Sequence, residues 1–299
     1  MTFAVPSEGV PLAPPARVEA MPRNLVNPRS SSIRAALALG AVVLSFGCGS
    51  RGASAPGAQS EERQSDAEYD VARDFFGKHQ YRAALDHARK AVELNEENAR
   101  AAYLTAVIYL AFCSENDRSP DCKLGEAEVF ARKAVKSDDR FRDAKNLLGN
   151  VLILEKKYPA AIEVLEPLTK DPGYIESHLA WGNLGWAQME AGQVDAAIAS
   201  LKNAVTQPRF CVGHYRLGRA YEKKNDLPQA ETSYSNALAV ESADCQGLQD
   251  AWDARGRVRL RLGRGAEAKA DFEKCRELSP KTPTGALCAK ALASLGGGT

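Results

Sequence analysis

The chain holds seven cysteines, the residues whose chemistry is most open to reading. Six of them, Cys113, Cys122, Cys211, Cys245, Cys275 and Cys288, lie well inside the chain. In an exported protein such an even set reads as disulfides, and six cysteines allow about fifteen connectivities. A mixture of buried thiols is the alternative. Zinc is disfavoured, because no C-x2-C pair occurs and His79, His87, His178 and His214 are dispersed. No G-x-S-x-G, H-E-x-x-H or Walker loop is present. The carboxylates fall on polar helix faces, where solvation explains them. These features predict no enzyme, no metal, no cofactor and no small-molecule substrate.

The seventh cysteine, Cys48, has a different setting. Residues 35–46, AALALGAVVLSF, are apolar apart from Ser45, and Arg29 and Arg34 precede them. The run is too short for a permanent span, and a basic flank before a short apolar run reads as a secretory signal. Residues 1–47 are therefore predicted to be a signal peptide, with Met21 as an alternative start that gives a signal of ordinary length. Gly47-Cys48 at the end of the run fits a bacterial lipobox, although Ser45 and Phe46 depart from its usual residues. Acylation of the Cys48 thiol would supply several chains, enough for stable anchoring. Cleavage near Ala53-Ser54-Ala55, leaving a soluble exported protein, is the competing outcome. Residues 48–66 then read as the lipidated cysteine and a flexible Gly/Ala/Ser/Gln tether with an r.m.s. span of roughly 20–25 Å.

These cysteines need elements to position them. The 299 residues are 44% hydrophobic and 26% charged, with net charge +1, as in an ordinary soluble domain. A nearly neutral chain without a long basic run has no electrostatic footprint for nucleic acid. From Ala67 to residue 282 short amphipathic helices alternate. Aligned on the alanine that opens each second helix, they give Ala84, Ala127, Ala161, Ala197, Ala230 and Ala268, spaced by 43, 34, 36, 33 and 38 residues. Ahead of these stand the small residues Ala72, Ala106, Gly149, Gly185, Gly218 and Gly256, where two helices must cross closely. Trp181-Gly182-Asn183-Leu184-Gly185 is a full W-x2-L-G, the tetratricopeptide signature. Gly77, Gly192 and Gly263 suit the turns. The fold class predicted is all-α: a superhelical solenoid of six tetratricopeptide repeats (TPRs), closed by a capping helix and tail over 283–299.

That frame favours one disulfide pattern. Cys113 and Cys122 bracket a polar insertion in repeat two. Cys211 and Cys245 lie near the starts of the first helices of repeats five and six. Cys275 lies in the last repeat and Cys288 in the capping helix beside it. The same frame turns Tyr69, Arg73, Phe76, Tyr103, Val107, Leu110, Asn146, Asn150, Ile153, Leu154, Trp186, Met189, Tyr215 and Arg219 toward a concave groove. Some of them, Phe76 and Leu110 above all, could instead fill gaps between repeats. Such a surface is aromatic and apolar, without an evident Lys/Asn-rich carboxylate clamp. It predicts an apolar or amphipathic peptide as ligand.

One stretch carries a closer resemblance. Lys170-Asp171-Pro172-Gly173-Tyr174, then Ala180-Trp181, Asn183-Leu184-Gly185 and the run from Gly192 to Ala197, is similar to the TPR lipoproteins of type IV pilus biogenesis. These are the pilotins of the PilF, PilW and Tgl kind, and the likeness extends over about residues 67–282. The D-P-x-Y junction is moderately specific; the other repeat residues are widely shared. The irregular lipobox and the insertion in repeat two depart from the family pattern. The resemblance implies a lipid-anchored protein on the periplasmic face of the outer membrane, whose partner is the pilus secretin and whose role is to promote secretin assembly into multimers. The alternative is a generic envelope TPR adaptor lipoprotein that gathers cell-wall or outer-membrane assembly factors.

Overall fold

The computed structural model describes residues 56–115, 119–242, 245 and 247–296. The expected signal segment, Cys48 and the start of the tether lie outside them. Thirteen helices and no strand occur among the described residues. They run α1 (Pro56–Gly77), α2 (Tyr81–Leu94), α3 (Ala99–Glu115), α4 (Leu124–Ser137), α5 (Arg142–Leu154), α6 (Tyr158–Thr169), α7 (Ser177–Glu190), α8 (Val194–Ala204), α9 (Cys211–Lys223), α10 (Leu227–Leu238), α11 (Gln249–Arg261), α12 (Gly265–Leu278) and α13 (Pro283–Gly296). Paired in order, the first twelve make six helical hairpins, and α13 packs on α12 and α11 as the cap.

Each hairpin is built from one stripe. On the second helices the residues at i, i+4 and i+7 are buried in every repeat: Ala84, Ala88 and Ala91; Ala127, Ala131 and Ala134; Ala161, Leu165 and Leu168; Ala197, Leu201 and Ala204; Ala230, Tyr234 and Ala237; Ala268, Phe272 and Cys275. This spacing places them on a single helical face. The middle residue of each stripe meets the small residue of the first helix. A Cβ added to Gly149 would lie 2.5 Å from Leu165, one on Gly185 2.5 Å from Leu201, one on Gly218 2.5 Å from Tyr234 and one on Gly256 2.8 Å from Phe272. Glycine is kept where the opposing side chain is large, and the first repeat, with Ala88, has Ala72 instead. Gly218→Ala is therefore expected to cost about 1–3 kcal/mol by overpacking, read from the shift of the urea midpoint. The Tyr234 ring cannot swing away, because it is wholly buried and its hydroxyl donates to Glu222 at 3.0 Å.

The turns repeat as closely as the crossings. His79, Lys156, Gly192, Asn225 and Gly263, each five residues before the stripe alanine, have φ between 58° and 82°. This left-handed residue closes the first helix and aims the second. Only two are glycine, and Gly77, expected in the first turn, ends α1 while His79 carries the left-handed conformation. Among the described residues repeat two has no left-handed residue at this position, and its inserted loop is closed by the Cys113–Cys122 disulfide. Cys211–Cys245 joins the start of repeat five to that of repeat six, and Cys275–Cys288 fastens the cap to α12. These are the pairs that the repeat frame favours.

The domain boundary near residue 67 is corrected. Helix α1 begins at Pro56, inside the segment read as tether. Ser65 is fully buried; its hydroxyl donates to the Ala91 carbonyl at 2.6 Å and accepts from Asn98 Nδ2 at 2.9 Å. A polar residue that looks like linker in sequence thus ties α1 to α2 and to the start of the second repeat.

One apolar core runs from Tyr69 to Val258, and a second, smaller one joins Ala268, Phe272, Cys275 and Cys288. Around the seam between them the contacts are ionic. Asp271, 2% exposed, accepts from Arg255 at 2.7 Å and Arg259 at 2.9 Å. Glu231 of α10 takes Arg259 and Arg264, and Glu222 of α9 takes Arg257 and Arg261.

Candidate partner-binding face

The first helices stack side by side, α1 on α3, α5 on α7 and α7 on α9. This stacking decides what becomes of the expected groove. Tyr69, Tyr103, Val107, Ile153, Trp186, Met189 and Tyr215 are all between 0 and 7% exposed. They are seam-fillers between neighbouring helices, and the expectation of an open aromatic and apolar groove is corrected. The Tyr103 ring lies 4.9 Å from Phe141, Arg100 covers Tyr69 at 5.1 Å, and Tyr215 leans on Tyr234 at 5.8 Å. Leu110 is buried as well. The physical reason is size: side chains this large at the inner positions close the gap to the next repeat. Of the expected set, Arg73, Phe76, Asn146, Asn150, Leu154 and Arg219 stay half-buried and reach the inner surface.

What the fold does bring together is polar. Asn183 donates through Nδ2 to Asn146 Oδ1 at 3.0 Å, and its own Oδ1 accepts from Arg216 Nη1 at 2.9 Å. The row crosses three first helices, α5, α7 and α9. Arg216 is 1% exposed, and its guanidinium lies 4.3 Å over the Trp186 ring. Gly182 helps to admit it, since a Cβ there would come within 2.7 Å of Phe210 and 3.7 Å of Arg216 Nη1. Nε and Nη2 of Arg216, and Oδ1 of Asn150, one turn beyond Asn146 on α5, are buried without a hydrogen-bond partner among the described residues. Burial, reinforced by the neighbouring Arg219 charge, pushes the Arg216 pKa down to about 9. Arg219 and Lys223 each lie 3.4 Å from Glu190.

Sequence reasoning passed over Asn183 and Arg216 as contacts. One signal was available: each stands two residues before the crossing glycine of its repeat, Gly185 and Gly218. Among the described residues no group of three or more His, Cys, Asp or Glu is placed to hold a metal, and no helix is long and apolar enough to cross a membrane.

The architecture is that of a TPR solenoid, a scaffold for protein–protein contact. Models of the tetratricopeptide repeat match residues 69–112, 178–208 and 215–283. Among solved structures the chain is similar to PilW, described as a widely conserved type IV pilus biogenesis factor, with a TM-score of 0.63 and 19% identity over 75% of this chain and 98% of that one. It is also similar to PilF of Pseudomonas aeruginosa, with a TM-score of 0.59 and 17% identity over 77% of this chain and 99% of that one. At these identities the likeness is one of fold. A curated relative, the tetratricopeptide repeat domain-containing protein PYG7, chloroplastic, of Arabidopsis thaliana, is 31% identical over 110 residues, and the match spans 36% of each chain.

Proposed function

We propose that this protein is a pilotin: a lipid-anchored TPR protein that binds the type IV pilus secretin at the periplasmic face of the outer membrane and promotes its assembly into multimers. The observation that supports this reading most is extent. The solenoid accounts for 98% of PilW and 99% of PilF, so the likeness takes in their whole repeat arrays and not one shared hairpin. Gly47-Cys48 after an apolar run supplies the anchor that this role needs.

In a pilus-bearing host, deletion of the gene is expected to leave the secretin monomeric, with loss of heat-resistant multimers on a denaturing gel, and the wild-type gene should restore them. Unchanged multimers would favour the generic envelope adaptor. Cys48→Ala is expected to release a folded repeat array from membranes, checked by fractionation. Equal retention of the variant would mean that something other than the lipid holds the protein there.

A further inference from the structure

We propose that the inner face of repeats three to five is a receptor for an acidic side chain, glutamate or aspartate, carried by an extended segment of the partner polypeptide. This rests on reading the solenoid as a partner-binding scaffold, but not on the secretin being the partner.

Two helices, α9 and α11, differ in how their cations are matched. On α11 the arginines are matched: Asp253, Asp271, Glu222 and Glu231 all face them within 3.4 Å. On α9, Arg216, Arg219 and Lys223 stand at i, i+3 and i+7, one face of the helix, and Arg219 and Lys223 both face Glu190 at 3.4 Å. The deeper cation, Arg216, has no carboxylate within ion-pair distance among the described residues. Its Nη1 is taken by Asn183, which leaves the Nε–Nη2 edge unpartnered. That edge is one of those through which a guanidinium takes a carboxylate with two parallel hydrogen bonds. A buried cation in this state is costly unless something pairs it.

The surroundings indicate what kind of carboxylate. Arg216 lies beneath the inner surface, so the group that reaches it has to extend from its own backbone, as a glutamate or aspartate side chain does and a chain terminus does not. Asn146 and Asn150 are half-buried, one turn apart on α5, and Asn150 Oδ1 lacks a donor. They can hold the peptide groups of a segment laid across α5 and α7. The Trp186 ring under the guanidinium keeps its plane fixed.

The test uses the full-length chain and three small probes: N-acetyl-Gly-Glu-Gly-amide, the same peptide with Gln, and N-acetyl-Gly-Gly-Gly with a free C-terminus. Binding is followed at the indole N–H resonance of Trp186. The Glu probe is expected to bind at least about ten-fold more tightly than the Gln probe, the scale of a charge-assisted pair. Arg216→Met should erase that preference while leaving the helical circular dichroism intact, since it removes a buried charge. Asn150→Asp, which sets a carboxylate beside the row, should weaken the Glu probe in a chain that folds normally. Equal binding of the Glu and Gln probes, no binding of any probe, or a preference that survives Arg216→Met would overturn the proposal. So would a free C-terminus that binds as well as the Glu side chain. Failure here leaves the secretin-multimer assay untouched, and failure of that assay leaves this measurement standing.

Discussion

Trp186→Ala is expected to destabilise the protein by about 3–5 kcal/mol, the usual cost of emptying a large aromatic from a packed interior. The ring is 4% exposed, fills the seam between α7 and α9, and carries the guanidinium of Arg216 on its face. Truncation leaves a cavity and strips the buried cation of its one stacking partner. The readout is the denaturant midpoint by circular dichroism, compared with Trp181→Ala, whose ring is only partly buried. A loss under about 0.5 kcal/mol, the range of ordinary surface substitutions, would mean that the ring is not packed as described. Read from the repeat period alone, the same residue looked like a ligand contact whose loss would spare the fold. The structure reverses that expectation.

Asp271→Ala is the second change with a large expected effect. The carboxylate is 3% exposed and holds Arg255 and Arg259, themselves only 13% and 16% exposed. Removing one member of a buried ion pair typically costs about 3–5 kcal/mol, because the partner charge stays behind uncompensated. Here Arg255 loses its carboxylate, while Arg259 keeps Glu231 at 3.0 Å. In a solenoid each repeat contacts only its neighbours, so the loss should be local. Hydrogen exchange is expected to quicken in α11 to α13 while α1 to α8 keep their protection. Uniform loss of protection along the chain would show that the repeats unfold as one unit and that the ionic seam is no boundary.

How far the chain can be read without coordinates depends on the residue. The crossings were legible because a tetratricopeptide hairpin needs a small residue opposite a fixed position, and Gly149, Gly185, Gly218 and Gly256 announce it. The cysteine pairing was legible for a related reason: once the hairpins are in register, Cys211 and Cys245 fall at corresponding helix starts. The inner surface was not legible. Helical period says which way a side chain points but not how near the next repeat stands, and Tyr103, Trp186 and Tyr215 are long enough to close that distance. Arg216 was harder still, since arginine is ordinarily exposed and its burial depends on Gly182, Phe210 and Trp186 together. The turns show the converse case. His79, Lys156 and Asn225 adopt a backbone conformation that glycine tolerates best, and only the repeat register, not their residue type, marks them.

The three disulfides have a mechanical consequence. Tension on the two ends of the array would peel helical hairpins away one at a time, as in other linear stacks of repeats. The bond from Cys211 to Cys245 takes 34 residues out of the load path. Those residues would otherwise release roughly 110–120 Å of slack at 3.3–3.6 Å each. Cys275–Cys288 withholds another 13 residues. Extension is therefore withheld over residues 211–245 and 275–288, and a pull draws out the first four repeats and the stretch 246–274 between the two closed loops.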